Sequence, residues 1–497
     1  MHRVPVEVDQ LKDMIGIGDI DTVLVVFPDL QGRFMGKRVT GHFFLDAVLE
    51  GSIEACDYLL AVDVDMTPLP GYRFANWESG YGDFSAVPDL STLRLVPWLE
   101  KTALVICDLV EEASREPVAV SPRRILQRQV ERAADLGYRI KIGAELEFFL
   151  FKDTYAEAAA KGYVGLVPHS DWIEDYHILQ TTRDEYLIRQ IRNGMDGAGV
   201  PVEFSKGEAG KGQHEINLEY ADALEMADRH TVYKNGAKEI ADANGRSLTF
   251  MAKYDMADVG SSCHIHSSVW DERGRTSLMF DAKGVDQMSP VFRHWLGGLV
   301  DASRELALLF APNVNSFKRF QPDSWAPTAV AWGKDNRTCG LRLVGHGEGY
   351  RVESASPAPT PTPTSPSPAS SPPACTASST SSTQARRSRA TPTRTRTCPT
   401  SPPPWSRPST SSSTRRWPAS RSATTSTSTS STRPARSGTR STGWSRTGSC
   451  DAASNACERA RERTGKHRPS EARQCRSGPL VPVLAPAVGG HKMSVHQ

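Results

Sequence analysis

No run in this chain approaches the roughly 18 apolar residues that a membrane helix needs. Residues 1–20 mix charges throughout, without the apolar core of a secretory leader. Both absences predict a soluble, cytoplasmic protein. Cysteine is sparse before residue 354: only Cys56, Cys107, Cys263 and Cys339 of the nine lie there, and none is spaced from another like a zinc knuckle or a redox pair. Reduced, structural thiols are expected. No unit recurs at a solenoid or propeller period. The sharpest scarcity comes late. After Ser354 there are 21 Lys and Arg against 4 Asp and Glu, and almost no aliphatic side chains until the last residues, so the formal net charge of +2 averages an acidic first part with a basic tail.

What is present before that break has the pattern of an α+β protein. Asp21 to Asp29 reads as a buried strand, Gln31-Gly32-Arg33 as a turn, and Gly36 to Thr40 as a second strand. Thr102 to Leu109 is another. Ser121-Pro122 gives a helix start, apolar residues at Ile125, Leu126, Val130, Ala133 and Leu136 keep helical spacing, and Gly137 suits the end. A long strand follows over Tyr138 to Phe151. Helices are expected at Asp184 to Ala198, Asp222 to Asn244 and Ser289 to Leu309, with strands at Leu248 to Ala252 and Cys263 to Trp270. The organisation predicted is a small β-rich domain over 1–111, a larger one over 112–354, and a low-complexity tail over 355–497.

Glu145 and Glu147, two apart on the long strand, leave it on one face. A solvated face is the plain reading of such a pair, but Ala144, Leu146 and Phe148 make the flanks apolar, and buried carboxylates must be paired or bound to metal. Glu208 and Glu215 bracket a glycine-rich segment, and His264 and His266 share one face of another strand. Each feature alone is weak, and a histidine pair at alternate positions is more often a sheet feature than a ligand set. Together they form an oxygen-rich, nitrogen-poor set that suits magnesium or manganese better than zinc.

Glu145-x-Glu147, the Glu208-to-Glu215 segment ending Gly-Gln-His-Glu, Gly-Ser-x-x-His-x-His around His264, Asn336-Arg337-Thr338 with Arg342, and Arg351-Val352-Glu353 occur in the order and approximate spacing of glutamine synthetases. Over about residues 10 to 354 the chain resembles that family. The resemblance implies a β-grasp-like N-terminal domain and a catalytic domain built on a central antiparallel sheet. It also implies ATP and Mg²⁺ or Mn²⁺ as cofactors, and the joining of the glutamate γ-carboxylate to an amine through a γ-glutamyl phosphate. By it, Glu147, Glu208 and Glu215 would hold the metal beside glutamate, and Glu145, His264 and Glu353 the metal beside the nucleotide phosphates. Arg337 and Arg342 resemble the phosphate-binding pair, Arg319 the arginine that holds glutamate, and Gly260 the loop glycine near its backbone. Tyr220, His266 and Ser268 take places that line the nucleotide pocket, although Tyr220 is equally readable as packing and a lone arginine as surface charge.

Family members that use ammonia carry an Asp-Gly-Ser-Ser segment in the small domain and a flap glutamate in Tyr-Glu-Ala-Pro. No Asp-Gly-Ser-Ser stands between Asp65 and Asp83 here, and the flap reads Ser324-Trp325-Ala326-Pro327. Trp325, where the glutamate would be, cannot accept a proton, but its face can pack on a carbon chain or hold a cation. An amine or polyamine is therefore expected in place of ammonia, with plain packing as the alternative role for Trp325.

The tail has a peculiar match. The family segment Arg-Ile-Pro-Gly-Ala-Asp-Ala-Asn-Pro-Tyr-Leu-Ala-Phe-Ala, written in codons ending in C and read from the second base, yields residues 355–368 as they stand. A one-base loss near the Ser354 codon explains this better than a selected basic tail, which would otherwise suggest nucleic-acid binding. The shift puts Ala355 where the family has an arginine and removes the closing segments, so impaired activity is expected. The partners expected are glutamate and a small amine, with no nucleic acid and no membrane, in a homo-oligomer of the family's stacked-ring type. Ordinary glutamine synthetase, or an inactive subunit joining intact paralogues, are the competing readings.

Overall fold

A computed structural model of the chain describes residues 6–322 and 324–356. The predicted tail lies outside these residues, apart from Ala355 and Ser356. None of the described helices is long and apolar enough to cross a membrane.

The first sheet contains β1 (Thr22–Pro28), β2 (Phe34–Thr40), β3 (Ile53–Cys56), β4 (Asp83–Pro88), β5 (Arg94–Leu95) and β6 (Thr102–Glu111), ordered β2-β1-β6-β4-β3 with β5 beside β6. The apolar run of β1 is buried at every position but its first, as a strand covered on both faces must be. Asp29 sets the turn into β2: its carboxylate accepts from the Gln31 N–H at 2.9 Å, the Arg33 N–H at 2.8 Å and Arg33 Nε at 2.7 Å. Gly36, at φ +145°, lets the two strands approach, since a Cβ there would stand 2.0 Å from the Val25 carbonyl oxygen.

The second sheet carries the site. Its strands are β7 (Tyr138–Phe151), β8 (Val202–Gly207), β9 (Gln213–Leu218), β10 (Ala221–Asp222), β11 (Ser247–Thr249), β12 (Cys263–Asp271), β13 (Trp332–Lys334), β14 (Leu341–Val344) and β15 (Arg351–Ser354). They run β13-β14-β15-β12-β7-β9-β8, with β10 and β11 also on β7, and every pairing except β13 with β14 is antiparallel. The helix Ala223–Ala243 is buried around most of its girth, from Ala223 to Ala241, and its Tyr233 hydroxyl donates to the Leu146 carbonyl on β7 at 3.3 Å.

Helices Pro122–Asp135, Glu185–Gly197 and Ala223–Ala243 fall where sequence periodicity puts them. Ser121 stands at the N-cap of the first without a side-chain capping bond, so Pro122 supplies the start signal, and Leu136 lies outside the buried stripe. The expected helix Ser289 to Leu309 is two, Pro290–Ala302 and Ala307–Phe310. The break falls where Ser303 Oγ bonds back to the Leu299 carbonyl and Arg304 and Glu305 interrupt the apolar spacing.

Arg123 ties the first sheet to the helix Ala223–Ala243. Its guanidinium, 2% exposed, meets Asp89 at 2.6 Å, Asp228 at 3.0 Å, and Asp108. Burial disfavours its charge, but Asp228 and Asp108 outweigh that and hold the guanidinium protonated. Arg123→Ala strands Asp228 in the interior. A loss of about 3–5 kcal/mol in urea unfolding is expected, against less than about 1 kcal/mol if these pairs behave as surface contacts.

His230, on the helix Ala223–Ala243, is 4% exposed with its Nε2 unbonded, and burial together with Lys234 pushes its pKa down to about 3. The unfolded chain takes up this proton below about pH 6.5, whereas the fold refuses it until about pH 3, so its contribution to stability is lost as pH falls between those values. Moving from pH 7 to pH 5 should cost about 2 kcal/mol through this group. Urea midpoints of His230→Gln, which cannot titrate, should show a correspondingly smaller drop.

Candidate active site

Cross-strand register assembles the site rung by rung. Glu147 on β7 stands opposite Glu215 on β9, and Glu145 stands opposite both Asn217 on β9 and His264 on β12. His266 faces Glu353 on β15, which faces Arg342 on β14. Directly opposed residues share a sheet face, so residues far apart in sequence converge on one surface.

One ligand atom each from Glu147, Glu208 and Glu215 lie within 4.8 Å of one another, as do one each from Glu145, Glu215 and His264. Glu215 belongs to both groups. Glu353, placed with the second set by the family resemblance, has Oε1 3.8 Å from His264 Nδ1 and Oε2 2.9 Å from Arg342 Nη2. His264 Nδ1 is 3.3 Å, and His266 Nε2 2.9 Å, from the Glu145 carboxylate. Arg351 Nε donates to His266 Nδ1 at 3.1 Å, which leaves Nε2 as the protonated nitrogen facing Glu145. Glu147 Oε2 accepts from the Ser262 N–H at 2.9 Å and from Gln213 Nε2 at 3.1 Å, and Lys206 contacts Glu208.

These groups are more acidic in number than the fold can hold as free anions. Burial, then the charges of Glu145, Glu147 and Glu208, push the Glu215 carboxyl up to about 9 against the opposing pull of Lys206. Burial and Glu208 raise Glu147 as well. Burial opposes ionisation of Glu145 too, but its bonds to His264 and His266 win and hold it below the usual carboxylate range. His264, despite burial, is raised to about 9 by Glu145, Glu147 and Glu353. Crowding and burial thus drive these carboxylates toward protonation, and positive charge among them would relieve it. Four or five carboxylates with one imidazole are the donor set of a hard divalent cation, and such a cation fits.

A cavity of about 340 Å³ opens beside Glu145 and His266. Tyr220 and Trp270 line it with rings 6.4 Å apart and 20° from parallel, and Lys141 Nζ stands 4.0 Å from the Trp270 ring centre. Tyr220 is half exposed at this wall rather than packed in the core. Ser268 Oγ, also at the wall, accepts from Trp270 Nε1 at 2.8 Å. On the other side, Arg319 is buried and donates to Ser262 Oγ at 2.8 Å and to the Ala355 carbonyl at 2.9 Å. Gly260 abuts it: a Cβ there would lie 2.8 Å from Arg319 Cγ.

Two predicted residues stand apart. Arg337 is exposed in the turn before β14, and Trp325 is 72% exposed in its loop. Among the described contacts, none joins either to the carboxylates. Sequence reasoning passed over Lys141, Lys206, Gln213, Ser262 and Trp270. Lys206 and Gln213 carried a usable signal, lying beside or within the quoted glutamate segment. Trp270 and Lys141 carried none, because their meeting depends on the β7–β12 register.

A largely antiparallel sheet carrying adjoining carboxylate groups able to hold divalent cations, next to a cavity of about 340 Å³, is the kind of arrangement that metal-assisted phosphoryl transfer uses. Residues 119–363 match the family description "Glutamine synthetase, catalytic domain". The chain is 53% identical over 350 residues to gamma-glutamylethanolamide synthetase GlnA4 of Streptomyces coelicolor, covering 70% of this chain and 74% of that one. It is 38% identical over 347 residues to the glutamate–isopropylamine ligase of a Pseudomonas species, covering 69% and 75%. A solved GmaS/ADP complex superposes with a TM-score of 0.60 at 28% identity over 71% of this chain and 77% of that one. The chain belongs to the glutamine synthetase family, whose members are ATP-dependent ligases that use divalent metal ions.

Proposed function

We propose that this chain is built to join the γ-carboxylate of glutamate to an alkyl amine or polyamine instead of ammonia. Trp325 in the flap carries this reading: an indole stands where ammonia users hold a carboxylate, and relatives named for a γ-glutamylethanolamide product and an isopropylamine substrate point the same way. The γ-carboxylate oxygen attacks the terminal phosphorus of ATP and ADP leaves. The amine nitrogen then attacks the acyl carbon of the γ-glutamyl phosphate, phosphate departs, and the nitrogen loses a proton.

Glu147, Glu208 and Glu215 would hold one Mg²⁺ or Mn²⁺, and Glu145, His264 and Glu353 another, with Glu215 within reach of both. Bound there, such ions neutralise charge on the phosphate oxygens. Arg319 and Gly260 hold glutamate, Arg342 and Arg337 the phosphates, and Tyr220, His266 and Ser268 the nucleotide, with Trp270 as the facing wall. Residues 1–111 form a β-grasp-like domain, 112–354 an incomplete catalytic domain, and 355–497 a frame-shifted tail. A homo-oligomer of the cytoplasm is the natural form of the intact protein, and the chain as written is impaired.

The test is a panel of ammonia, ethanolamine, isopropylamine and putrescine with the frame-restored chain, read as phosphate release that depends on glutamate. Alkyl amines should exceed ammonia by at least about tenfold in kcat/KM, and Trp325→Glu should narrow that ratio by a similar factor. Faster turnover of ammonia by the unmutated chain would defeat the proposal.

A further inference from the structure

We propose that Glu174, Asp184 and His214 form a separate structural site for a borderline divalent cation of the Zn²⁺ type, on the face of the second sheet opposite the candidate active site. His214 precedes Glu215 on β9, and successive strand residues point to opposite faces, so one residue serves each side. One ligand atom from each of the three residues lie within 4.8 Å of one another. All three are sealed from solvent, with side chains at most 1% exposed.

The hydrogen bonds within this cluster leave one buried carboxylate poorly matched. His214 Nε2 is 2.8 Å from Asp184 Oδ2, and His169 Nδ1 contacts the other Asp184 oxygen. Asp184 stands at the N-cap of the helix Glu185–Gly197 yet makes no side-chain capping bond, its carboxylate being turned to the imidazoles. Glu174 is left over. Neither of its oxygens has a hydrogen-bond partner of good geometry, the Ser170 hydroxyl exerting only a minor pull against the burial that raises its pKa, and the nearest cationic atom, His214 Nε2, is 3.6 Å from Oε2. A fully buried carboxylate so weakly partnered is costly unless it is paired, protonated or ligates metal. Two carboxylates with imidazole nitrogen form a mixed oxygen and nitrogen set, which selects borderline transition ions over Mg²⁺. His214 also lines a cavity of about 580 Å³ that includes Thr181, Glu185 and Lys206. A cation here would tie the loop of Glu174 and the helix start at Asp184 to the strand that presents Glu215.

The full-length chain, stripped with chelator and then held in excess Mg²⁺ to satisfy the oxygen-rich centre, is titrated with Co²⁺ as a visible stand-in for Zn²⁺. One Co²⁺ per chain with a d–d absorption band is expected, displaced by Zn²⁺, and one equivalent of Zn²⁺ should raise Tm. Glu174→Gln should weaken Co²⁺ uptake by at least about 100-fold, whereas Glu147→Gln and His264→Ala should retain the band. No uptake under excess Mg²⁺, uptake unchanged in Glu174→Gln, or a band lost in His264→Ala would each overturn the proposal. Should Glu174→Gln not fold, the unmutated chain decides: a Tm that Zn²⁺ leaves unmoved overturns it.

Discussion

Glu215→Ala in the frame-restored chain is expected to lower kcat by about 10³-fold or more, the largest loss of any single carboxylate change in the site. The reason is position. Among the described residues Glu215 alone contributes to both carboxylate groups, it is buried, and it sits opposite Glu147 in the β7–β9 register. Removing it weakens the hold on both cations at once, and losing about 4 kcal/mol of charge stabilisation at the phosphates corresponds to that factor. Mn²⁺ binding followed by calorimetry should fall from two sites per chain to one weak site or none. Glu208→Ala, which touches one group only, should lose less and should respond to raised Mn²⁺. A Glu215→Ala enzyme within tenfold of the parent would mean that this glutamate is not a shared ligand.

Restoring the reading frame after the Ser354 codon is expected to raise glutamate-dependent phosphate release by about 10³-fold over the chain as written. In the chain as written, the position two after Glu353 is Ala355, whose backbone carbonyl accepts from Arg319 Nη2 at 2.9 Å, and the Ser356 carbonyl lies 3.4 Å from Nη1. The guanidinium proposed to hold glutamate is thus engaged by main chain where the family has a second arginine. An arginine placed on transferring phosphate contributes about 10³-fold or more. Ala355→Arg in the unrestored chain should recover only a small part of this, because the family's closing segment is still replaced. Equal activity of the restored and unrestored chains would remove the frame shift from the account.

Much of the architecture was legible because the strands that matter are strongly patterned. Tyr138–Phe151 and Cys263–Asp271 coincide with their expected ranges to within a residue, and the helix Ala223–Ala243 differs by one residue at each end. Pairing was not legible, since register between strands about 120 residues apart depends on tertiary packing that no local period encodes. The carboxylates could therefore be named but not arranged. That Glu215 is shared, or that Arg342 pairs with Glu353, emerges only from the rungs of the sheet. Glu174 and Asp184 were invisible for the same reason: residues 174, 184 and 214 form no motif, and His214 read only as part of the Gly-Gln-His-Glu segment. The Ser289 to Leu309 helix was overextended because apolar spacing resumes after the polar break at Ser303 to Glu305.

The central claim is that the glutamate γ-carboxylate is phosphorylated and then passed to an amine. Incubating the frame-restored chain with ATP, ethanolamine and glutamate labelled with ¹⁸O in its γ-carboxylate tests this directly, with the released phosphate examined by mass spectrometry. Transfer of one ¹⁸O into each phosphate, in step with formation of the γ-glutamyl amide, is the result predicted. Phosphate without label, released at the same rate with or without glutamate, would contradict it.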